Sequence, residues 1–263
     1  IDAVRLWRRA ATVAGERVGF VPTMGALHEG HLSLMRAART ECDRVIASIF
    51  VNPLQFAPHE DFGKYPRTFD RDLELMSQEG VDAVFYPNEI EMYPQGRESV
   101  TRVVPPAELA DCLEGHFRPG FFVGVATVVA KLFNIVLPEA AFFGEKDFQQ
   151  LQVVKRLVHD LNLPIQVIPV ATVREKDGLA LSSRNVYLSE EERKFAPLLH
   201  RTLNWVKESA QSGELTLQAA LEKGRTDLQA LDGVDLQYLE ARHGETFQPV
   251  TQFELPTVIL LAA

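Results

Sequence analysis

The stretch Val18–Leu34, VGFVPTMGALHEGHLSL, decides the fold class that this sequence predicts. It reads as a buried strand, a turn of small residues, and a helix start with two histidines three apart, His28 and His31. In α/β proteins such a strand–turn–helix junction binds phosphate groups, because the first N–H groups of the helix lack partners and its dipole favours negative charge. We therefore expect an anion-binding mouth here, with the rest of the chain organised around it.

Downstream, the apolar pattern predicts strands and helices in alternation through the first 170 residues. Strands are expected at 44–51, 81–86, 140–143 and 165–170, with helical stripes between them. We also expect a short strand at 100–104, a loose segment at 120–124 and a buried helix at 125–136. This alternation predicts an α/β fold with a doubly wound parallel sheet, whose strand ends share one edge.

After residue 171 the pattern changes from alternating strands and helices to a mixed one. A polar stretch at 173–185 precedes a helix that Ser189 and Glu192 cap, and a second helix is expected at 216–231. Strands are predicted at 234–241 and 257–261. We therefore predict two domains, 1–170 and a smaller α+β C-terminal domain, 171–263, which we expect to act as a lid.

Composition and charge exclude several classes of protein. A net charge of −9 argues against a general nucleic-acid binder, because phosphate backbones require a basic surface. No apolar run reaches the roughly 18 residues of a membrane span, so we expect no membrane partner. Cys42 and Cys112 follow no metal-binding spacing. Two isolated cysteines indicate a reducing compartment without a disulfide framework, and buried side chains rather than reactive thiols.

The histidine pair has two other interpretations. Histidines three apart on a helix can share a metal ion, although no third ligand follows at a recognisable spacing. They can also cap the helix. We favour phosphate binding, because His28 and His31 follow a strand and a tight turn in which Gly25 and Gly30 allow a ligand to come close.

Two further motifs and two glutamines are weaker signals. Gly144–Asp147, GEKD, follows another strand, where Lys146 would be a cation at the sheet edge and Asp147 a helix cap or Mg²⁺ ligand. Taken alone, the motif is more typical of a solvated turn with a capping aspartate. Residues 181–185, LSSRN, could clamp a polyphosphate or form an ordinary loop. Gln55 and Gln150 lie next to strand ends. Their amides suit hydrogen bonding to a small polar substrate, but they indicate no particular ligand.

Together these segments resemble one family. PTMGALHEGH, FVNPLQF, YPRTFDRD, FGEKDFQQ and LALSSRN occur in the order and spacing of the pantothenate synthetases, or pantoate–β-alanine ligases. The resemblance covers essentially the whole chain and is densest from 18 to 188. It implies a Rossmann-like domain followed by a small C-terminal domain. It also implies a cytoplasmic homodimer that uses ATP and Mg²⁺ to join (R)-pantoate to β-alanine through a pantoyl-adenylate, releasing AMP and pyrophosphate.

The resemblance also assigns site residues, position by position. An ATP segment is implied at Met24, Gly25, Ala26, Leu27, His28, Glu29, Gly30 and His31, with His31 as proton donor. Further ATP contacts are implied at Gly144, Glu145, Lys146, Asp147, Leu181, Ser182, Ser183 and Arg184, with a backbone contact to adenine at Val173. Gln55 and Gln150 match pantoate-binding glutamines, Gln55 also near β-alanine, and Asp72 matches an acidic position near Mg²⁺. We expect His28, His31, Lys146 and Arg184 to supply the catalytic positive field.

The sequence departs from the family pattern at three positions. Phe121 stands where relatives commonly have histidine, Val123 where they often have a polar residue, and Arg71 where some carry a second acid. Two rival functions stay open, and the departure at Phe121 bears on the second of them. One is a related nucleotidyltransferase whose product keeps AMP or CMP, and the other is an inactive nucleotide-binding module.

Overall fold

The computed structural model describes residues 1–57 and 60–263, which divide by their contacts into two units, Ile1–Val173 and Arg174–Ala263. The predicted domain boundary, 170/171, lies three residues before the division between the units. Each unit has its own apolar core and is described by itself.

The first unit is built on a parallel sheet. Its strands are β1 Val18–Thr23, β2 Arg44–Ile49, β3 Ala83–Phe85, β4 Ala140–Gly144 and β5 Gln166–Val170. The strand order is β3-β2-β1-β4-β5, and every neighbouring pair is parallel. This confirms the doubly wound fold. Because the order reverses between β1 and β4, the ligand crevice of such a sheet is expected at their carboxyl ends.

Helices connect these strands. In the described part of the first unit they are α1 Asp2–Ala14, α2 Glu29–Glu41, α3 Phe69–Gln78, α4 Glu89–Met92, α5 Ala107–Ala110, α6 Glu114–Phe117, α7 Phe121–Val136 and α8 Phe148–Asp160. Consecutive strand residues enter different apolar clusters: Phe20 packs in one and Val21 in the other. Both faces of the sheet are therefore covered, which explains why its strands read as continuous apolar runs.

Two local predictions were wrong. The segment 120–124 is not loose, because α7 begins at Phe121, directly after Gly120 in the left-handed region at φ +83°. Residues 101–106 form no strand. There the N–H of Val103 donates to the Thr127 hydroxyl at 3.0 Å, and Val103 packs against the apolar core. Val103 is satisfied by this hydrogen bond and by core packing, whereas Val104 is 73% exposed, so the segment has no strand partner.

The second unit combines two helices with a hairpin. Its elements are α9 Glu190–Gln211, α10 Leu217–Gln229, and the antiparallel strands β6 Tyr238–His243 and β7 Thr257–Ala262. The predicted capping box is present: the Glu192 N–H donates to Ser189 Oγ at 3.3 Å, and the Ser189 N–H donates to Glu192 at 2.7 Å. Among the described residues, no helix has both the length and the apolar character that crossing a bilayer requires.

Candidate nucleotide and substrate site

Three of the predicted segments leave the same edge of the sheet in the first unit. The turn Met24–His28 follows β1, a 3₁₀ turn Pro53–Gln55 follows β2, and a second 3₁₀ turn Glu145–Asp147 follows β4. Since β1 pairs with both β2 and β4 in parallel, their carboxyl ends are neighbours. The sheet topology therefore brings together three segments that are distant in sequence.

The turn after β1 has a backbone that few residues can adopt. Gly25 has φ +82° and Ala26 has φ +51°, both in the left-handed region. A β-carbon at Gly25 would lie 3.1 Å from both Asp72 Oδ2 and Ile49 Cγ2. Thr23 fixes the start of the turn, since its Oγ1 donates to the Ser48 carbonyl at 2.7 Å and accepts the Gly25 N–H at 3.2 Å. Glycine is therefore required at 25.

Asp72 stabilises this turn through hydrogen bonds, whereas the resemblance implied a position near Mg²⁺. The side chain is fully buried, and its two oxygens accept the N–H groups of Ala26 and Leu27, each at 2.9 Å. The Thr68 hydroxyl lies 3.1 Å from both oxygens. The carboxylate thus takes up two N–H groups of the loop that precedes α2, and it has no surface left for Mg²⁺. We correct Asp72 from a metal ligand to a support of the turn.

His28 and His31 do cap α2, as one of the alternative interpretations held. The Gly30 N–H donates to His28 Nδ1 at 3.1 Å, and the His28 N–H donates to His31 Nδ1 at 3.3 Å. Since a backbone N–H can only donate, each Nδ1 is an acceptor and each neutral ring carries its proton on Nε2. Within residues 1–57 and 60–263 neither Nε2 has a hydrogen-bond partner. Capping through Nδ1 therefore leaves two Nε2–H donors for a ligand.

Both imidazoles are neutral at pH 7, contrary to the expected positive charge. Burial, followed by the neighbouring His28 ring, lowers the pKa of His31 to about 3. Burial, followed by the Lys146 cation, also lowers the pKa of His28. Protonation would place the second proton on Nδ1 and break the caps. The pair therefore offers neutral hydrogen-bond donors, and among the residues predicted at this edge Lys146 is the cation.

The turn after β4 supplies that cation. Lys146 and Asp147 both act electrostatically on the two histidines, which places this turn beside the turn after β1. Lys146 Nζ lies 3.1 Å from Asp147 Oδ1, and both side chains are more than a third exposed. Asp147 occupies the N-cap position of α8, yet its side chain makes no capping hydrogen bond. The expected cap is absent, and the exposed lysine is the feature that suits an anionic ligand.

Gln55 is held against the turn after β1. Its Nε2 contacts Met24 Sδ at 3.1 Å, and its Oε1 accepts Asn52 Nδ2 at 3.1 Å. A thioether is a weak acceptor, so the Gln55 amide retains donor capacity for a substrate oxygen. The segment also lies directly on α7: a β-carbon at Gly124 would come within 2.8 Å of the Gln55 nitrogen.

The two adjacent glutamines of α8 have different surroundings. Gln149 is buried, with its Nε2 donating to the carbonyls of Leu109 and Cys112, both at 2.8 Å. Gln150, one residue further around the helix, is only partly buried. Of these two glutamines, Gln150 is therefore the one that a substrate can reach.

Arg118 anchors the Gln55 segment from the other side. Its guanidinium pairs with both oxygens of Glu60 at 2.9 and 2.6 Å and with Glu114 at 3.2 Å, and it donates to the Gln55 carbonyl at 3.1 Å. The same group lies 3.8 Å from the centre of the Phe121 ring. Phe121 therefore has a structural role, as the face on which this arginine stacks.

With this geometry established, comparison with known proteins places the chain in a family. The model of the pantoate–beta-alanine ligase family matches residues 1–263. The chain belongs to the pantoate–beta-alanine ligase family. The pantothenate synthetase of Pseudomonas fluorescens (strain Pf0-1) is 52% identical over 266 residues, covering 100% of this chain and 92% of the relative.

Solved structures of the ligase family agree with the fold. A pantothenate synthetase from Thermus thermophilus superimposes with a TM-score of 0.91 at 50% identity, covering 98% of this chain and 92% of that one. A pantoate–beta-alanine ligase from Francisella tularensis, complexed with beta-gamma ATP and beta-alanine, gives a TM-score of 0.76 at 36% identity. That alignment covers 90% of this chain and 87% of the Francisella chain.

The remaining ATP positions implied by the family lie beyond β5. Val173 is the last residue of the first unit and is partly buried. In the second unit, Leu181 and Ser182 precede a 3₁₀ turn, Ser183–Tyr187, and Ser182 Oγ accepts the Arg184 N–H at 3.2 Å. Arg184 itself is exposed. Assignment of these residues to ATP continues to rest on the resemblance.

The side chains of the site do not fit a resident Mg²⁺. Within the described ranges 1–57 and 60–263, no three His, Cys, Asp or Glu side chains form a cluster that could hold a metal ion. Asp72 is engaged by backbone N–H groups, and Asp147 is half exposed beside Lys146.

Sequence analysis missed three residues that form the hydrogen-bond network around Gln55: Asn52, Tyr93 and Arg118. Asn52 and Tyr93 are 1% and 3% exposed, and together with Arg118 they form the hydrogen bonds around Gln55. The only sequence signal was weak, namely an asparagine before proline inside FVNPLQF. Tyr93 lies 41 residues from the Asn52 side chain that it contacts, and Arg118 lies 63 residues from the Gln55 carbonyl, so no local pattern reveals these pairs.

Proposed function

We propose that this chain joins (R)-pantoate to β-alanine in an ATP-dependent reaction that yields pantothenate, AMP and pyrophosphate. The observation that carries the proposal is the meeting of two neutral imidazole donors with the Lys146 cation at the ends of β1 and β4, beside the Gln55 amide. Membership of the ligase family, and the relative complexed with beta-gamma ATP and beta-alanine, support the choice of substrates.

In the first step a carboxylate oxygen of pantoate attacks the α-phosphorus of ATP. The bond from that phosphorus to the bridging oxygen breaks, and pyrophosphate leaves, so that an acyl-adenylate remains. The nucleophile and the triphosphate are both anions, so positioning and charge neutralisation carry the catalysis. Lys146 supplies positive charge, and the Nε2–H groups of His28 and His31 donate hydrogen bonds to phosphate oxygens.

Neutral imidazoles suit this task in the free enzyme. A pair of buried cations beside Lys146 would cost desolvation free energy before ATP arrives. Negative charge favours the protonated form of a nearby imidazole, so bound triphosphate raises both histidine pKa values from their depressed starting point. A proton gained at Nδ1 would compete with the capping hydrogen bonds, so both rings act on the triphosphate as Nε2–H hydrogen-bond donors.

In the second step the amine of β-alanine attacks the carbonyl carbon of the adenylate. The bond from this carbon to the AMP oxygen breaks, AMP leaves, and the nitrogen releases one proton to solvent. Gln55 and Gln150 are proposed to hold pantoate through both steps, since their amides can donate to its carboxylate and hydroxyl oxygens. The reaction needs no protein nucleophile.

Four parts of the proposal rest on the resemblance. Val173 and residues Leu181, Ser182, Ser183 and Arg184 complete the ATP contacts. Mg²⁺ enters with the triphosphate and water as ligands, the mode that this ion commonly uses with nucleotides. The enzyme acts as a homodimer. A cytoplasmic location is implied by the same resemblance.

The test uses (R)-pantoate labelled with ¹⁸O in both carboxylate oxygens, with MgATP, and with or without β-alanine. We expect pantothenate and pyrophosphate, and AMP that carries one ¹⁸O atom per turnover, because the attacking oxygen stays with phosphorus. Unlabelled AMP, or ADP in its place, would contradict the adenylate route. A stable product that retains AMP or CMP after β-alanine is added would indicate a nucleotidyltransferase, and the absence of turnover would indicate an inactive module.

A matched pair of variants tests the site. His31→Gln keeps an acceptor for the His28 N–H and removes the Nε2–H donor. This variant is expected to lower kcat about a hundredfold, the typical effect of removing one hydrogen-bond donor to developing charge. His159→Gln, at a histidine whose side chain is 85% exposed on α8, is expected to leave kcat unchanged. Equal activity in both variants would remove His31 from the mechanism.

A further inference from the structure

A buried polar network surrounds the Gln55 side chain. Tyr93, the residue after α4, donates its hydroxyl to Asn52 Oδ1 at 2.7 Å. Asn52 Oδ1 also accepts the Leu54 N–H at 3.2 Å, while Asn52 Nδ2 donates to the Gly124 carbonyl at 3.2 Å and to Gln55 Oε1 at 3.1 Å. Every hydrogen-bonding atom of the Asn52 amide thus has a partner, as a side chain that is 1% exposed requires.

This network determines which end of each amide is which. The Leu54 N–H can only donate, so the Asn52 atom facing it is the oxygen. The Gly124 carbonyl can only accept, so the other end of Asn52 is the NH₂ group. That NH₂ group faces Gln55, and the Gln55 atom that receives it must be Oε1. The Gln55 NH₂ group is therefore turned away from Asn52, toward Met24 in the turn after β1.

We propose that Tyr93 is a positioning residue of this site, which acts through Asn52 to hold the Gln55 amide with its NH₂ group presented to the acidic substrate. The proposal rests on the proposed function, because it assigns the Gln55 donor to pantoate. A reversed Gln55 amide would instead present its oxygen to a carboxylate, which repels it. The Tyr93 hydroxyl thus supports, without touching the substrate, an amide orientation that suits an oxyanion.

The surroundings of Tyr93 keep its hydroxyl a donor. The residue is 3% exposed, and burial, followed by the charge of Glu89, raises the pKa of its phenol. Its ring lies 6.0 Å from the ring of Phe50 between centroids, and Lys131 Nζ lies 5.8 Å from the ring centre. Phenylalanine retains these ring contacts and loses only the hydroxyl, so Tyr93→Phe is a selective test.

The experiment is a double-mutant cycle of Tyr93→Phe and Gln55→Ala, with Tyr86→Phe as the control at a tyrosine that is 55% exposed. Tyr93→Phe is expected to raise the KM for pantoate about fivefold, the factor that corresponds to one neutral hydrogen bond. The KM for ATP should stay within about twofold, since the two substrates use different groups. In the Gln55→Ala background the same change should alter the pantoate KM by less than about twofold, because a residue that acts through Gln55 has nothing left to position.

A fivefold effect that persists without Gln55, an equal rise in both KM values, or no effect at all would each overturn the proposal. A second readout needs no substrate: the ¹⁵N resonance of the Gln55 side-chain amide should shift in Tyr93→Phe and not in Tyr86→Phe. If the wild-type enzyme makes no pantothenate, the proposed function fails while this amide measurement still decides whether Tyr93 positions Gln55. An unshifted resonance in Tyr93→Phe would refute the positioning role whatever the activity.

Discussion

Replacing Asp72 by asparagine should separate its role in the turn after β1 from a role in metal binding. The two Asp72 oxygens each accept one backbone N–H, from Ala26 and from Leu27, at 2.9 Å. An asparagine can accept only one of them, and its NH₂ group would face the other N–H as a second donor. One charge-assisted hydrogen bond is then lost, which costs about 1.5–3 kcal/mol, and one N–H is left buried without an acceptor, which costs about 1–3 kcal/mol.

We therefore expect the free energy of unfolding to fall by about 4 kcal/mol in Asp72→Asn. For a unit of 173 residues this corresponds to a decrease in Tm of about 8–16 °C. Relaxation of the turn moves His28, so the KM for ATP should rise, while the Mg²⁺ concentration that gives half-maximal activity should not change. Thermal unfolding and a Mg²⁺ titration at saturating ATP measure the two effects.

Asp70→Asn is the matched control, because Asp70 is an exposed carboxylate on the first turn of the same helix, α3. It should cost about 0.5 kcal/mol, through the helix dipole alone. A variant Asp72→Asn that unfolds at the wild-type temperature and needs more Mg²⁺ would refute our assignment and restore the metal ligand.

Three further predictions concern the neighbouring segments. Gly124→Ala should raise the KM for pantoate and lower the free energy of unfolding by about 1–3 kcal/mol, because its β-carbon would lie 2.5 Å from the Leu54 carbonyl carbon. The control Gly63→Ala, whose β-carbon would have no atom within 4 Å, should change neither quantity. A normal KM in Gly124→Ala would contradict the packing argument. His31 has a pKa of about 3 in the folded chain against an ordinary value of 6.5, so unfolding takes up a proton below pH 6.5. Stability should therefore fall toward pH 3 by up to about 1.4 kcal/mol per pH unit. Chemical denaturation of His31→Gln should show a smaller slope, and an unchanged slope would contradict a buried, neutral His31 ring. Lys146→Met should raise the pKa of His28, because the positive charge of Lys146 lowers that pKa in the wild-type chain. An NMR titration measures the change, and an unchanged pKa would refute the proximity of the turn after β4 to the turn after β1.

Much of the fold could be predicted from local sequence. Apolar runs at β1, β2 and β4 are continuous because both faces of the sheet are covered, and that pattern survives in the sequence without knowledge of partners. The capping box at Ser189 was equally local, since donor and acceptor lie three residues apart. The prediction for segment 100–104 failed because its alternation of packed and exposed residues, as at Val103 and Val104, is typical of a strand but occurs here without a paired neighbour.

The candidate site could be predicted only by residue type. The motifs identified His28, His31, Lys146 and Gln55 as the groups to examine, and the strand alternation placed them on one edge of the sheet. Their charge state could not be predicted, because the pKa of an imidazole depends on burial and on neighbours that only the folded chain assembles. The charge of the histidine pair was therefore the main error of the sequence interpretation.

The sequence by itself determined the family and the chemical groups of the site, because both depend on residue identity and on spacing along the chain. Tertiary structure alone decided what each group does. Asp72 supports the turn because β1 brings Ala26 and Leu27 over its carboxylate, and the Gln55 amide has one orientation because Tyr93 and Gly124 reach Asn52 from distant elements. Hydrogen bonds between residues far apart in sequence leave no local pattern, since only folding brings their donors and acceptors within about 3 Å.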